Sequence, residues 1–575
     1  MKVKHYFFCL FGIFLFQKVS AQLTAFEKDS AKNTTAQYSE LISFYKALAE
    51  KYPHQCHLFT YGTTDVGKPL QLFVLSQDGT FDAKKLRLQN KSVLLINNGI
   101  HPGEPEGIDA SMMLARDLLK QKRIPPKVAI CIIPVYNIDG MLNRGVSRVN
   151  QNGPRSYGFR GNKQNLNLNR DFIKTESSNS YSFQKIFNIW NPDVLIDNHT
   201  SDGADYQYIM TLIETQKNKF NPILADYMHE KFTLQLYSRM GEKGYKLIPY
   251  VDFAGETPES GINEYLETPR YSTGYAALHN TIAYMPETHM WKPFKERVES
   301  TYDLMRFTIN IMSEQGDTLV EKRAIANNYT AHQTTFPLQW TLDTTHYSVI
   351  PFYGYEPQHK LSEVSGYQRL FYDRSKPFTR DIKLYNHYQA SLSVKAPSAY
   401  IIPGAYQKII NLLQINGVKM RRLTKDTTVS ADFYYIGNFK TSNTLYEGHY
   451  IHSDVNINTQ RLTMPFYEGD IIVPVNQITN RYIVETLEPQ AMDSYFSWNF
   501  FDPILSQKEY FSDYIFEDYA AQYLKENPEL RKELEKAKLE NESLRNSARK
   551  QLEWVYQHSP YHEKTHNLYP IGRIM

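Results

Sequence analysis

The chain has 575 residues, 64 basic and 61 acidic side chains, and a formal net charge of +3. Lys2, Lys4 and Lys18 fall in the first 21 residues, so the remainder is electrically neutral, which excludes a general nucleic-acid binder dependent on basic excess. A content of 42% apolar residues excludes a disordered chain, and the length suffices for about two to four domains with a large core.

The amino terminus reads as an address. Met1–His5 is short and basic, Tyr6–Phe16 is an apolar run too short to span a bilayer, and Val19-Ser20-Ala21 offers small residues for cleavage before Gln22. This order predicts a signal peptide over 1–21 and a secreted or periplasmic protein. No Cys follows the cleavage position, so no lipoprotein anchor is expected. No second long apolar run predicts a transmembrane anchor. Cys56 and Cys131 remain after processing; they form no disulfide framework, and Cys131, inside the apolar run Val128–Val135, is expected as a buried free thiol.

The next stretch, with boundaries set at 22–320, reads as one α/β unit. Val93–Ile96, Val128–Val135 and Val194–Ile196 are unbroken β-rich runs, as strands buried on both faces are. Between them Ile108, Met112, Ala115 and Leu119 recur at helical spacing, as do Phe183, Ile186, Phe187 and Trp190. The alternation predicts a mixed, mainly parallel sheet flanked by helices. After about 330, Tyr, Thr and Ser increase and short alternating strands such as Asp432–Tyr435 and Gly469–Pro474 dominate. One α/β piece is expected at Ala399–Met420. Residues 330–505 are therefore expected to form a β-rich accessory region. A helical tail is expected over 510–575, broken at Pro528.

In a parallel sheet, ligands bind beyond the carboxyl ends of the strands. The first run leads into Asn97-Asn98-Gly99-Ile100-His101-Pro102-Gly103-Glu104, the second into Tyr136-Asn137-Ile138-Asp139-Gly140, and the third into Asp197-Asn198-His199-Thr200. His101 and Glu104 form an HxxE pair around a Pro-Gly turn, and His199 ends another strand. Two imidazoles and one carboxylate, with a fourth position left to water, make a catalytic zinc site rather than a structural one. One Zn2+ per chain is expected. Asp197 is either the orienter of His199 or a partner in a salt bridge elsewhere. Gly158-Phe159-Arg160-Gly161-Asn162 and Asn165-Leu166-Asn167-Leu168-Asn169-Arg170 form an Asn-rich stretch carrying two guanidinium groups suited to carboxylates and oxyanions, or simply a turn with surface arginines. Thr281–Tyr284 is a further strand pattern leading to Glu287, a candidate general base; His289 is peripheral.

In this order, over about residues 25–315, the set resembles the carboxypeptidase A-like family of zinc metallopeptidases. The resemblance implies that His101, Glu104 and His199 hold the metal and that Glu287 takes a proton from the attacking water. It implies that Arg160 polarises the scissile carbonyl and that Asn169 and Arg170 grip a substrate's terminal carboxylate. Tyr136-Asn137-Ile138-Asp139-Gly140 resembles the family's Asn-Pro-Asp-Gly turn, with Ile138 in place of Pro. Asn167 stands where family members often have an acid that serves the first histidine. A mobile tyrosine over the site is Tyr271 or Tyr275, with Tyr271 preferred. Arg270 either favours an acidic terminal residue or makes a structural salt bridge. No pro-segment is expected.

The function so implied is a secreted zinc metallocarboxypeptidase acting on peptide or protein C-termini, with no nucleic-acid partner. Two alternatives stand beside it. One is a zinc amidase or deacylase of the same fold acting on cell-wall peptides or other small amides. The other is a catalytically silent peptide-binding protein.

Overall fold

The computed structural model describes residues 22–575; the expected signal peptide lies outside the described residues. The strands of the α/β unit are β1 (Cys56–Thr63), β2 (Pro69–Leu75), β3 (Ser92–Asn97), β4 (Val128–Ile133), β5 (Val194–Asp197), β6 (His199–Ser201), β7 (Met210–Glu214), a two-residue β8 (Ile262–Asn263) and β9 (Ile282–His289). All but β8 form one eight-stranded sheet in the order β1-β2-β4-β3-β5-β9-β6, with β7 also on β9. The central strands β4, β3, β5 and β9 run parallel, while β1, β2 and β7 join antiparallel. The mixed, mainly parallel sheet is thus present as expected.

Every residue of β3, β4 and β5 is buried, which is why these runs do not alternate. The helices Tyr38–Lys51, Glu106–Lys120 and Phe294–His332 cover one face, meeting Leu94, Ile96, Ile130, Ile132 and Ile196. The helix Ser178–Trp190 covers the other, with Phe183, Ile186, Phe187 and Trp190 against Val93, Leu95 and Cys131. Burying each such large side chain stabilises the fold by about 1.5–3 kcal/mol. Ser177 caps that helix by accepting from Ser180 N, and Asn191 ends it in the left-handed region at φ +46°.

The β-rich region holds β10 (Thr335–Leu342), β11 (Ser348–Leu361), β12 (Gln368–Tyr385), β13 (Tyr388–Lys395), β14 (Ala399–Ile402), β15 (Arg421–Arg422), β16 (Thr427–Ile436), β17 (Lys440–Thr441), β18 (His452–Ser453), β19 (Ile457–Phe466) and β20 (Ile471–Pro474). The expected α/β piece is β14 followed by the helix Gln407–Ile415. Helices Asp513–Glu526 and Pro528–Glu540 meet at Pro528, which sits in the first helical turn where its missing N–H costs nothing. The chain then returns as β21 (Gly572–Ile574), which pairs with β14 and β16.

The β-rich region is packed against the α/β unit. Tyr400, Ile402, Ile471, Val473 and Tyr482 belong to the same apolar cluster as Phe183 and Trp190. β12 pairs with β8, and the 39-residue helix Phe294–His332 runs straight through residues 320–330. Cys56 and Cys131 are buried free thiols. Among the described residues, no helix is long and apolar enough to cross a membrane.

Candidate active site

The three polar clusters foreseen at the strand ends do converge. β3 leads into the turn His101–Glu104, closed by Glu104 N donating to His101 O at 2.8 Å. Gly99, at φ +62°, takes the chain off the end of the strand in a conformation that a side chain would strain. β6 continues β5 in the same register against β9, so Ile196 lies opposite Tyr284 and His199 opposite Glu287. β9 is longer than the apolar pattern, because β6 and β7 both pair with its extension. Glu287 therefore lies within β9, near its carboxyl end, and gains a rigid backbone.

The Asn137–Gly140 turn braces two of these pieces. Asn137 Nδ2 donates to Ile100 O at 3.3 Å and to Arg160 O at 3.0 Å, tying the segments that carry His101 and Arg160. A Cβ on Gly140 would lie 2.3 Å from Phe159 O, so only glycine permits this approach.

His101 Nδ1 lies 3.2 Å and His199 Nδ1 3.3 Å from Glu104 Oε2. The donor atoms of all three residues fall within 4.8 Å of one another, and all three side chains are buried. The remote ring nitrogens are engaged: His101 Nε2 with Asn167 Oδ1 at 2.8 Å, and His199 Nε2 with Asp197 Oδ2 at 3.0 Å. Both acceptors require a proton on Nε2, which leaves Nδ1 of each neutral ring to ligate. This donor set fits a divalent cation with nitrogen and oxygen preference. Asp197 is thus the orienter of His199. Asn167 serves His101 with an uncharged amide oxygen.

Glu104 is heavily neutralised. Thr200 N donates to Oε2 at 3.0 Å, and Arg148 and Arg160 reach Oε1 at 2.9 and 3.1 Å. Burial opposes its ionisation, but the imidazoles and Arg148 hold the carboxyl well below the usual range. Burial pushes His101 down to about 4. At His199 burial works the same way but is outweighed by Asp197 and Glu104, which raise it well above the ordinary value. Burial, opposed by His199 and reinforced by Glu104, pushes Glu287 up to about 8.

These groups line one cavity of about 410 Å³, together with Arg160, Asn169, Arg170, Tyr271 and Glu287. His101, Glu104, His199, Glu287, Arg160, Asn169, Arg170 and the preferred Tyr271 all line that one space, whereas the alternatives Tyr275 and Arg270 do not. Arg170 stacks on Tyr271, its guanidinium carbon 4.3 Å from the ring centre, and Tyr271 receives a hydrogen bond from Tyr265. Tyr275 is not at the cavity; it is buried and donates to Asn416. Arg270 is the structural alternative: its Nε and Nη2 bind Asp493 at 2.8 and 2.7 Å. His289 binds Ala204 O, away from the metal donors.

Sequence reasoning missed Arg148, Tyr250, Tyr265 and Glu267, all of which line the cavity. It also missed the loop of the β-rich region that reaches the site. Tyr446 OH accepts from Arg170 Nε at 2.8 Å, and Glu447 Oε2 accepts from Asn167 N at 2.7 Å. A second cavity, about 520 Å³, is lined by Lys217, Lys219, Trp340 and Arg481 and contains no metal-capable cluster among the described residues.

Residues 41–221 match the family described as "Zinc carboxypeptidase". No curated protein matches the chain. Among solved structures, a carboxypeptidase A from Helicoverpa armigera is 14% identical over 48% of this chain and 74% of its own, with a TM-score of 0.36. A metallo-carboxypeptidase from Burkholderia cenocepacia is 13% identical over 49% and 70%, with a TM-score of 0.35. Bovine thrombin-activatable fibrinolysis inhibitor, in complex with tick carboxypeptidase inhibitor, is 14% identical over 49% and 97%, with a TM-score of 0.35. The family match over residues 41–221 and the buried His-Glu-His cluster within it support a zinc carboxypeptidase-like assignment, with a metallopeptidase-type centre, for this part of the α/β unit.

Proposed function

We propose that the protein is an exported, zinc-dependent carboxypeptidase that removes residues from peptide C-termini. One observation carries the reading: the metal-capable cluster, the Asn169-Arg170 pair and Glu287 line a single cavity.

His101, Glu104 and His199 would hold the zinc ion, which when bound would supply positive charge to acidify a water and polarise a carbonyl. Glu287, fixed on β9 opposite His199, accepts the proton of the attacking water and returns it to the leaving amine. Arg160, with its side chain 45% exposed, is free to turn from Glu104 to the developing oxyanion. Arg170 presents a paired donor to the terminal carboxylate, and Asn169 adds an amide. Arg170 is pre-positioned by Tyr446 OH and by its own Nη1 bond to Asn169 O at 2.7 Å. Tyr271 closes over the terminal residue. Export through the amino-terminal segment completes the proposal.

The test is mass spectrometry of a peptide mixture incubated with the purified protein, with and without chelator. Chelator-sensitive release of terminal residues, abolished by C-terminal amidation, is expected. Equal cleavage of amidated peptides would favour the amidase alternative. No cleavage at full zinc occupancy would favour a silent binding protein.

A further inference from the structure

The turn that carries Asn167, Asn169 and Arg170 takes its brace from elsewhere in the chain. Asn167 caps the single helical turn Leu168–Arg170 by accepting from Asn169 N at 3.0 Å, and the same Oδ1 accepts from His101 Nε2 at 2.8 Å. The N–H of such a capping residue needs an acceptor of its own, which a Glu or Gln side chain three positions on commonly supplies. Here that position is Arg170, which can only donate. The acceptor comes instead from 280 residues further along: Asn167 N donates to Glu447 Oε2 at 2.7 Å.

Glu447 is held for this contact. It stands at the tip of the β17–β18 hairpin, where Tyr446 N donates to His449 O at 2.8 Å and His449 N to Tyr446 O at 3.0 Å. The two residues between them, Glu447 and Gly448, both lie in the left-handed region, at φ +49° and +84°. Such two-residue turns favour Asn, Asp or Gly, so a glutamate here is strained, and strain retained beside a site points to function. The tip is clamped to the α/β unit on either side of Glu447. Tyr446 OH accepts from Arg170 Nε at 2.8 Å, and His449 Nε2 lies 2.9 Å from Glu176 Oε2. Among the described residues the Glu447 carboxylate makes no ion pair and no second hydrogen bond, so Asn167 N is its one partner.

We propose that Glu447 is a positioning residue for the metal centre. It pins the backbone of Asn167, and the Asn167 amide oxygen in turn fixes the ring of His101. The β-rich region thereby sets the geometry of the first histidine ligand. The inference rests on the metal reading of the cavity and adds to it a residue from outside the α/β unit.

Glu447→Gly tests it, because glycine takes the left-handed turn without strain and the change removes only the side chain. A direct partner of a ligating histidine is worth about 10–100-fold in metal affinity. Glu447 acts one hydrogen bond further out, so zinc affinity, measured by competition with a chelator, should fall about three- to tenfold. The melting temperature of the metal-free variant should hold or rise, which separates positioning from loss of fold. Glu447→Gln keeps an acceptor oxygen and should recover most of the affinity. In an Asn167→Ala background the route to His101 is cut, so Glu447→Gly should weaken zinc binding no further. Wild-type affinity in Glu447→Gly, or the same loss repeated in the Asn167→Ala background, overturns the proposal while leaving the metal centre standing. A wild type that takes up no zinc overturns the metal centre itself, and the proposal with it.

Discussion

Asp197→Asn isolates the charge behind the second histidine ligand. Asp197 is fully buried, accepting from His199 Nε2 at 3.0 Å through Oδ2 and from Asn97 Nδ2 at 2.9 Å through Oδ1. The substitution keeps the shape and removes the charge. The amide oxygen can still accept from His199. The new amide nitrogen needs an acceptor, and Asn97 Oδ1, buried without a partner, provides one if the Asn97 amide rotates. The network then survives with a neutral bond in place of a charge-assisted one, a difference of about 1–2 kcal/mol. That corresponds to metal binding roughly 5–30-fold weaker, overlapping the lower part of the range of about 10–100-fold for loss of a ligand-orienting partner. Competition against a chelator of known affinity measures this, with circular dichroism to show that the fold is retained. Affinity unchanged within about twofold would show that the Asp197 carboxylate does not tune His199, and the account of the site would be wrong there.

Three further outcomes follow from the same geometry. Glu287→Gln should retain zinc, because Glu287 is not among the ligand atoms, yet lose about 10²–10⁴-fold in turnover; single-turnover kinetics with metal analysis checks both. Tyr446→Phe removes the acceptor that steadies Arg170 Nε, and should raise KM about 2–10-fold with kcat largely kept; an unchanged KM would separate the β-rich region from substrate binding. Cys56, its thiol pushed up to about 12 by burial, and Cys131, raised further by deeper burial, should both resist a thiol reagent in the native protein and react once unfolded; rapid labelling of either without denaturant would contradict their placement.

The elements legible in the sequence are those set by local pattern. The buried parallel strands announced themselves as unbroken apolar runs, and Phe183, Ile186, Phe187 and Trp190 marked a helix face. His101, Glu104 and His199 were legible because each follows a strand and the sheet gathers strand ends at one rim. Partners drawn from distant loops were not. Arg148 reaches Glu104 from an irregular segment, Glu267 faces the cavity from another, and Tyr446 approaches Arg170 across 276 residues of chain. No periodicity encodes such contacts. Arg270 shows the same limit: its local sequence allowed a role in the pocket, and only the fold brings up Asp493 to pair with it. The joining of the α/β unit to the β-rich region was also hidden. It depends on one long helix through residues 320–330 and on a shared apolar cluster, neither of which alters local composition sharply.

The most direct test of the metal centre is zinc analysis of the purified chain beside His199→Ala. The wild type should hold one zinc ion per chain and the variant much less, at matched circular dichroism. Equal zinc in both, or none in a wild type supplied with excess metal, would contradict a centre built on His101, Glu104 and His199.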